Sequence, residues 1–214
     1  MTNQEQIPTV GILIFDDVEV LDFCGPFEVF SVARSTETQK QGDDFKPFNV
    51  VTIAQEDKII TCRGGLLVKP HATIENHPPL DILVVPGGQG TRRERLNQRL
   101  LDWIMQQDQR TKLTTSVCTG AFLLAELGLL DDHSATTHWN SVEWMRSTYP
   151  AVNMLADARV VDEGHIITSA GISAGIDMSL HVVSRLYGMD VAVWTARRME
   201  YDWSARGQVR MQHA

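Results

Sequence analysis

The chain has 214 residues, 43% of them hydrophobic and 21% charged, and a formal net charge of −8 at pH 7. That is enough chain for one substantial core, so a single domain over 1–214, with its core at about 8–203, is expected. The acidic balance argues against nucleic-acid binding. No apolar run approaches the roughly 20 residues that span a bilayer, and the opening Met-Thr-Asn-Gln-Glu-Gln-Ile-Pro lacks the basic and apolar regions of a signal peptide.

Val10–Phe15 reads as a first buried strand. Gly25-Pro26 then opens a helix running to about Arg34, with proline at the first helical position. Ser35–Lys46 is polar and reads as a loop, Phe48–Ala54 as a second strand, and Lys58–Val68, broken by Gly64-Gly65, as a small hairpin. His71–Leu80 is a proline-rich connection, and Asp81–Val85 is a third core strand ending in Pro86-Gly87-Gly88. A helix is expected from about Glu94 to Gln107. Arg92, Arg93, Arg95 and Arg99 cluster there, but Glu94 interrupts them and the helical wheel disperses them, as on a solvated helix face.

Lys112 to Val117 is short and rich in β-branched residues, as in an interior parallel strand. Ala121, Leu124, Ala125 and Gly128 then fall at helical spacing, with Gly128 a natural stop. Cys118 therefore sits in the turn, beside a helix N-terminus whose N–H groups and dipole lower a cysteine pKa. Further on come a short strand at Ala135–His138, a helix at Asn140–Thr148, a paired-strand turn across Glu163-Gly164, a helix at Ser173–Tyr187 and a last one at Asp190–Tyr201. This alternation predicts an α/β, doubly wound, mostly parallel sheet with helices on both faces. Cys24, Cys62 and Cys118 are an odd set with no metal-ligand spacing, which argues against disulfides and zinc and for a reducing cytoplasm.

Ligands in such sheets bind beyond the carboxyl ends of the strands. Three segments converge there: Leu21-Asp22-Phe-Cys-Gly25-Pro26-Phe-Glu28, Pro86-Gly87-Gly88-Gln89-Gly90, and the elbow at Cys118. A cysteine nucleophile needs a proton donor or acceptor, a role open to Asp22. It also needs donors for developing negative charge, a role open to the backbone around Gly88 and Thr119. Each residue has a plainer reading too: Cys118 as a packed core thiol, Asp22 as a helix cap, Gly87-Gly88 as a simple turn. His138 is the histidine best placed to approach the elbow, or else a structural one. Cys24 and Cys62 read as packing residues.

Together these segments resemble the PfpI-like superfamily of flavodoxin-like, class I glutamine amidotransferase-like proteins, and more closely its isonitrile hydratase branch. The matching residues are Leu21-Asp22-Phe-Cys-Gly25-Pro26-Phe-Glu28-Val29, Val85-Pro86-Gly87-Gly88, Thr115-Ser116-Val117-Cys118-Thr119-Gly120, Ala135-Thr136-Thr137-His138-Trp139 and Ala170-Gly171-Ile172-Ser173-Ala174-Gly175-Ile176-Asp177. Protease-like members carry histidine where this chain has Thr119, and glyoxalase- or deglycase-like members carry glutamate where it has Asp22. Cys118, Asp22 and Thr119 match the catalytic set of the isonitrile hydratases. The resemblance implies a lyase hydrating an isonitrile to an N-substituted formamide, with no cofactor or metal, a small-molecule substrate and a homodimer. Gly87, Gly88 and His138 are expected to bind substrate or the developing charge. The alternatives are a glyoxalase- or deglycase-like enzyme, or a ligand or redox sensor related to the amidase-like domain of AraC-type regulators. Those regulators continue into a helix-turn-helix module, and this chain's short polar tail, Ser204–Ala214, leads us to expect none here.

Overall fold

The computed structural model describes residues 7–34, 46–204 and 209–211. The strands are β1 (Thr9–Leu13), β2 (Asn49–Ala54), β3 (Ile60–Thr61), β4 (Leu67–Val68), β5 (Ala72–Thr73), β6 (Ile82–Val85), β7 (Leu113–Val117), β8 (Ser134–Ala135), β9 (Asn153–Met154), β10 (Val160–Asp162), β11 (Ile166–Ser169) and β12 (Val209–Met211). The helices are α1 (Val20–Val32), α2 (Thr91–Glu94), α3 (Gln98–Asp108), α4 (Ala121–Glu126), α5 (Val142–Thr148), α6 (Ala174–Tyr187) and α7 (Met189–Arg198).

The main sheet runs β12-β10-β11-β7-β6-β1-β2-β5. Its centre, β2-β1-β6-β7-β11, is parallel throughout. Counted along the chain, that is the order 2-1-3-4-5 of a flavodoxin-like sheet. These strands are buried on both faces, so they read as continuous apolar or β-branched runs. The buried hydroxyls of β7 are used within the sheet: Thr115 donates to the carbonyl of Leu83 at 3.0 Å. The crossover through α1 leaves β1 towards β2, while those through α3 and α4 run the other way, from β6 to β7 and from β7 to β11. Right-handed connections therefore put α1 on one face and α3 and α4 on the other. On the first face α1 packs against α6, and α6 against α7. The chain reverses direction between β1 and β6, which opens a crevice at their carboxyl ends.

Several boundaries move from those expected. α1 starts at Val20, with Pro26 inside it. The proline was expected to open the helix, but packing against α6 and the sheet outweighs the lost hydrogen bond at Pro26. The single helix expected at 94–107 is two, because Asn97 caps α3, its side chain accepting from the Leu100 N–H at 3.4 Å. Two edge strands carry too little pattern to be foreseen: β5, in the proline-rich connection, and β12, in the polar tail. Ala135–His138 does not join the main sheet, since only Ser134–Ala135 is extended and it pairs with β9. The loop expected at 35–46 lies, but for Lys46, outside the described residues.

Buried Asp177 ties α6 to its surroundings. Its Oδ2 accepts from Arg159 Nε at 2.6 Å and from the Tyr201 hydroxyl at 3.0 Å, and Arg159 also donates to Ser173 Oγ at 3.0 Å. Asp177→Ala leaves a half-buried guanidinium and a phenol without this acceptor. We expect a loss of about 2–4 kcal/mol in urea unfolding, somewhat less than for a fully buried pair.

Candidate active site

Cys118 follows the last residue of β7 and opens a tight turn, Cys118–Gly120, that leads into α4. Its φ is +57°, a left-handed conformation that costs a non-glycine residue on the order of 1–2 kcal/mol. The surroundings hold the elbow there. The Cys118 N–H donates to the Ala170 carbonyl at 3.2 Å, and its carbonyl accepts from the Thr137 hydroxyl at 2.8 Å. The side chain is 5% exposed.

Asp22 comes from the first turn of α1 and is 0% exposed. It caps nothing, for the residue at the cap position is Glu19. The Gly87 N–H donates to its Oδ2 at 3.0 Å, whereas its buried Oδ1 meets no donor among the described residues. The two glycines after β6 are demanded by close approach. A Cβ at Gly87 would lie 2.6 Å from the Thr119 backbone nitrogen, 2.7 Å from Thr119 Oγ1 and 2.8 Å from Asp22 Oδ2. Gly88 has φ +129°, and a Cβ there would lie 2.4 Å from the Asp17 carbonyl oxygen. Gly87→Ala is therefore expected to push Thr119 and the Asp22 carboxylate off the loop and to cost about 1–3 kcal/mol in urea unfolding. A variant whose near-UV circular dichroism and urea midpoint both match wild type would show that the cradle tolerates a methyl group.

Thr119 is wired into the same loop. Its Oγ1 accepts from the Gly88 N–H at 3.0 Å and lies 3.2 Å from the Gly88 carbonyl oxygen. Thr91 donates to that carbonyl at 2.8 Å, with its own hydroxyl 3.1 Å from Thr119 Oγ1. The Gly88 N–H, expected to face a developing charge, is thus spent on Thr119, and the Gly87 N–H on Asp22. Thr119 contributes its own N–H, which faces the sulfur and favours the thiolate.

A second N–H facing the sulfur belongs to Ile172. The sequence marks Ile172 only as part of a family motif and hints at no such role. Its φ is +47°, an outlier for a β-branched residue. Beside it, His138 rests on Gly171, where a Cβ would lie 2.2 Å from the imidazole Cδ2. The Nδ1 of His138 accepts from the Asn140 N–H at 3.3 Å. Its described hydrogen bond thus closes a local turn and does not reach Cys118 or Asp22. Cys24 is half-buried and Cys62 buried, both as free thiols.

Burial pushes the Cys118 thiol up to about 12, and the charge of neighbouring Asp22 adds to the rise, against the pull of the Thr119 and Ile172 N–H groups. Burial likewise pushes Asp22 up to about 7, with the Glu19 charge adding, while the Gly87 N–H and Cys118 act in the opposite direction. The helix N-terminus was expected to lower the thiol. Its N–H groups do act in that sense, but burial outweighs them. Between these two values the pair holds one proton, on sulfur, and one negative charge, on the carboxylate.

A flavodoxin-like α/β sheet with a buried, strained cysteine at a strand-to-helix elbow, facing an aspartate of the first helix, defines the class. The chain belongs to the DJ-1/PfpI family, whose model matches residues 8–185. It is 34% identical to the isonitrile hydratase of Pseudomonas putida over 192 residues, which cover 90% of this chain and 78% of that protein. It is 25% identical over 194 residues to the HTH-type transcriptional regulator GbdR of Pseudomonas aeruginosa, of which it spans only 51%. A crystal structure of a THiJ/PfpI family protein from Pseudomonas syringae matches with a TM-score of 0.80 and 28% identity, over 94% of this chain and 78% of that one. The family expected from the motifs is the family found.

Proposed function

We propose that the protein is a cofactor-independent lyase that hydrates an isonitrile, R–N≡C, to the formamide R–NH–CHO, with Cys118 as nucleophile and Asp22 as acid and base. The observation that carries this reading is the buried Cys118–Asp22 pair, in which burial raises the carboxyl, the thiol interacts with it by hydrogen bonding, and the sulfur is faced by two N–H groups. The 34% identity to an isonitrile hydratase supports it.

The isonitrile carbon is electrophilic towards sulfur and accepts a proton at the same atom. The thiol proton passes to Asp22 as the C–S bond forms, and Asp22 then delivers it to that carbon, leaving the thioimidate R–N=CH–S on Cys118. Asp22, again a carboxylate, takes a proton from water as the oxygen attacks, and the proton goes on to nitrogen. In the resulting adduct R–NH–CH(OH)–S, Asp22 takes the hydroxyl proton as the C–S bond breaks and passes it to the departing sulfur, which releases the formamide, so the sum is one isonitrile plus one water. The Thr119 and Ile172 N–H groups steady charge at sulfur in both addition and departure, and Gly87 orients the carboxylate.

Cyclohexyl isonitrile is the direct test. Steady release of N-cyclohexylformamide is expected, and none at any pH from 6 to 9 overturns the reading. Identity to a transcriptional regulator favours a second reading, a sensor whose cysteine is oxidised. Stoichiometric sulfenate at Cys118 with no formamide produced would support it. We also propose a homodimer, and a monomeric mass by light scattering removes that proposal.

A further inference from the structure

Arg92 stands apart from its neighbours. In the same basic cluster Arg93 pairs with Asp17 and Glu94, Arg95 with Glu126 and Arg99 with Glu75, while Arg63 pairs with Glu19 at 3.6 Å. Arg92 has no carboxylate partner among the described residues. Its Nη1 lies 3.4 Å from the Gly88 carbonyl oxygen, the same oxygen that lies 3.2 Å from Thr119 Oγ1. Its guanidinium carbon sits 5.7 Å from the ring centroid of Phe122, four residues beyond Cys118. These two anchors hold an exposed guanidinium beside the elbow and leave its remaining donors to solvent.

The charge of Arg92 also acts on His138. His138, which rests on the Gly171 backbone next to Ile172, is pushed down first by burial and then by the Arg63 and Arg92 charges, against the Glu19 charge. Because Glu19 is taken up by Arg63, Arg92 has no counter-ion among the described residues. A guanidinium presents a planar pair of N–H donors that matches a carboxylate. We infer that Arg92 is a specificity-determining residue and that the natural substrate carries an anionic group, most simply a carboxylate, remote from its reacting carbon. The inference rests on the reading of Cys118 as the nucleophile.

Iodoacetate and iodoacetamide alkylate the same sulfur, which displaces iodide from each, and they differ by one charge, so their relative rates at Cys118, followed by peptide mass spectrometry, test the anion site without any isonitrile. Arg92→Gln is expected to lower the iodoacetate-to-iodoacetamide rate ratio about tenfold, the scale of one charge-assisted hydrogen bond, with Arg92→Lys in between. A ratio unchanged in Arg92→Gln overturns the inference. In a second arm, isocyanoacetate and its ethyl ester are compared as substrates. The acid is expected to have the lower KM in the wild type and to lose that advantage in Arg92→Gln, whereas a wild-type preference for the ester overturns the inference. If neither isonitrile is hydrated but the alkylation ratio falls as expected, the anion site stands and the hydratase reading falls.

Discussion

Cys118→Ala is expected to abolish formamide production from an isonitrile, with kcat lower by at least about 10³-fold. In the proposed mechanism the sulfur is the atom on which every covalent step turns, and the one hydroxyl in the same turn, that of Thr119, is engaged with Gly88 and Thr91. The substitution is structurally mild. Alanine keeps the buried Cβ, and the backbone bonds to Ala170 and Thr137 do not involve sulfur. Folding can therefore be checked by a thermal melt while turnover is measured by mass spectrometry. Turnover within tenfold of wild type in a folded Cys118→Ala protein would end the nucleophile assignment.

Asp22→Asn carries the second large effect, and it moves activity and stability in opposite directions. Without a proton acceptor beside the sulfur, kcat is expected to fall by about 10²–10⁴, the usual contribution of general acid–base catalysis. The wild-type rate should rise as pH passes through about 7, where Asp22 becomes a carboxylate, and the variant should lose that inflection. An inflection that persists in Asp22→Asn would assign it to another group. The thiol itself should titrate lower in the variant, since the Asp22 charge is one of the causes of its rise to about 12.

The stability effect follows from the same shift. The folded-state value of Asp22, about 7, lies above the ordinary 3.8, so the folded state binds its proton more tightly than the unfolded state does. The contribution is fully present below about pH 4 and is lost as pH rises through 7. At pH 8 the buried carboxylate costs the wild type up to about 4 kcal/mol by this linkage. Asp22→Asn should therefore melt higher than wild type at pH 8 and show no such gain at pH 4.

The elements that the sequence located best are those whose signal is local. β7 and α4 could be read because β-branched residues give way abruptly to helical spacing with small residues between, and that junction placed Cys118 at an elbow. The hairpin around Gly64-Gly65 and the paired strands around Gly164 were readable for the same reason, since turn chemistry is written in adjacent residues. α1 was misread because Pro26 is a strong local signal overruled by distant packing, and α2 and α3 were merged because one side-chain cap separates them. The N–H of Ile172 at the sulfur and the placement of the Arg92 head group were out of reach. The first depends on an outlying φ, and the second on the ring of Phe122, which comes from α4, far along the chain.

By itself, then, the sequence determined the α/β alternation, the elbow and the family, because periodicity and short motifs are properties of neighbouring residues. Only the tertiary structure decided the chemistry of the site. The sheet order brings the residues after β1, β6 and β7 to one crevice, although Asp22 and Cys118 are far apart in the chain. Burial there sets the protonation of both groups, and it reversed the expected shift of the thiol. Desolvation depends on everything packed around an atom, and no local pattern of residues carries that information.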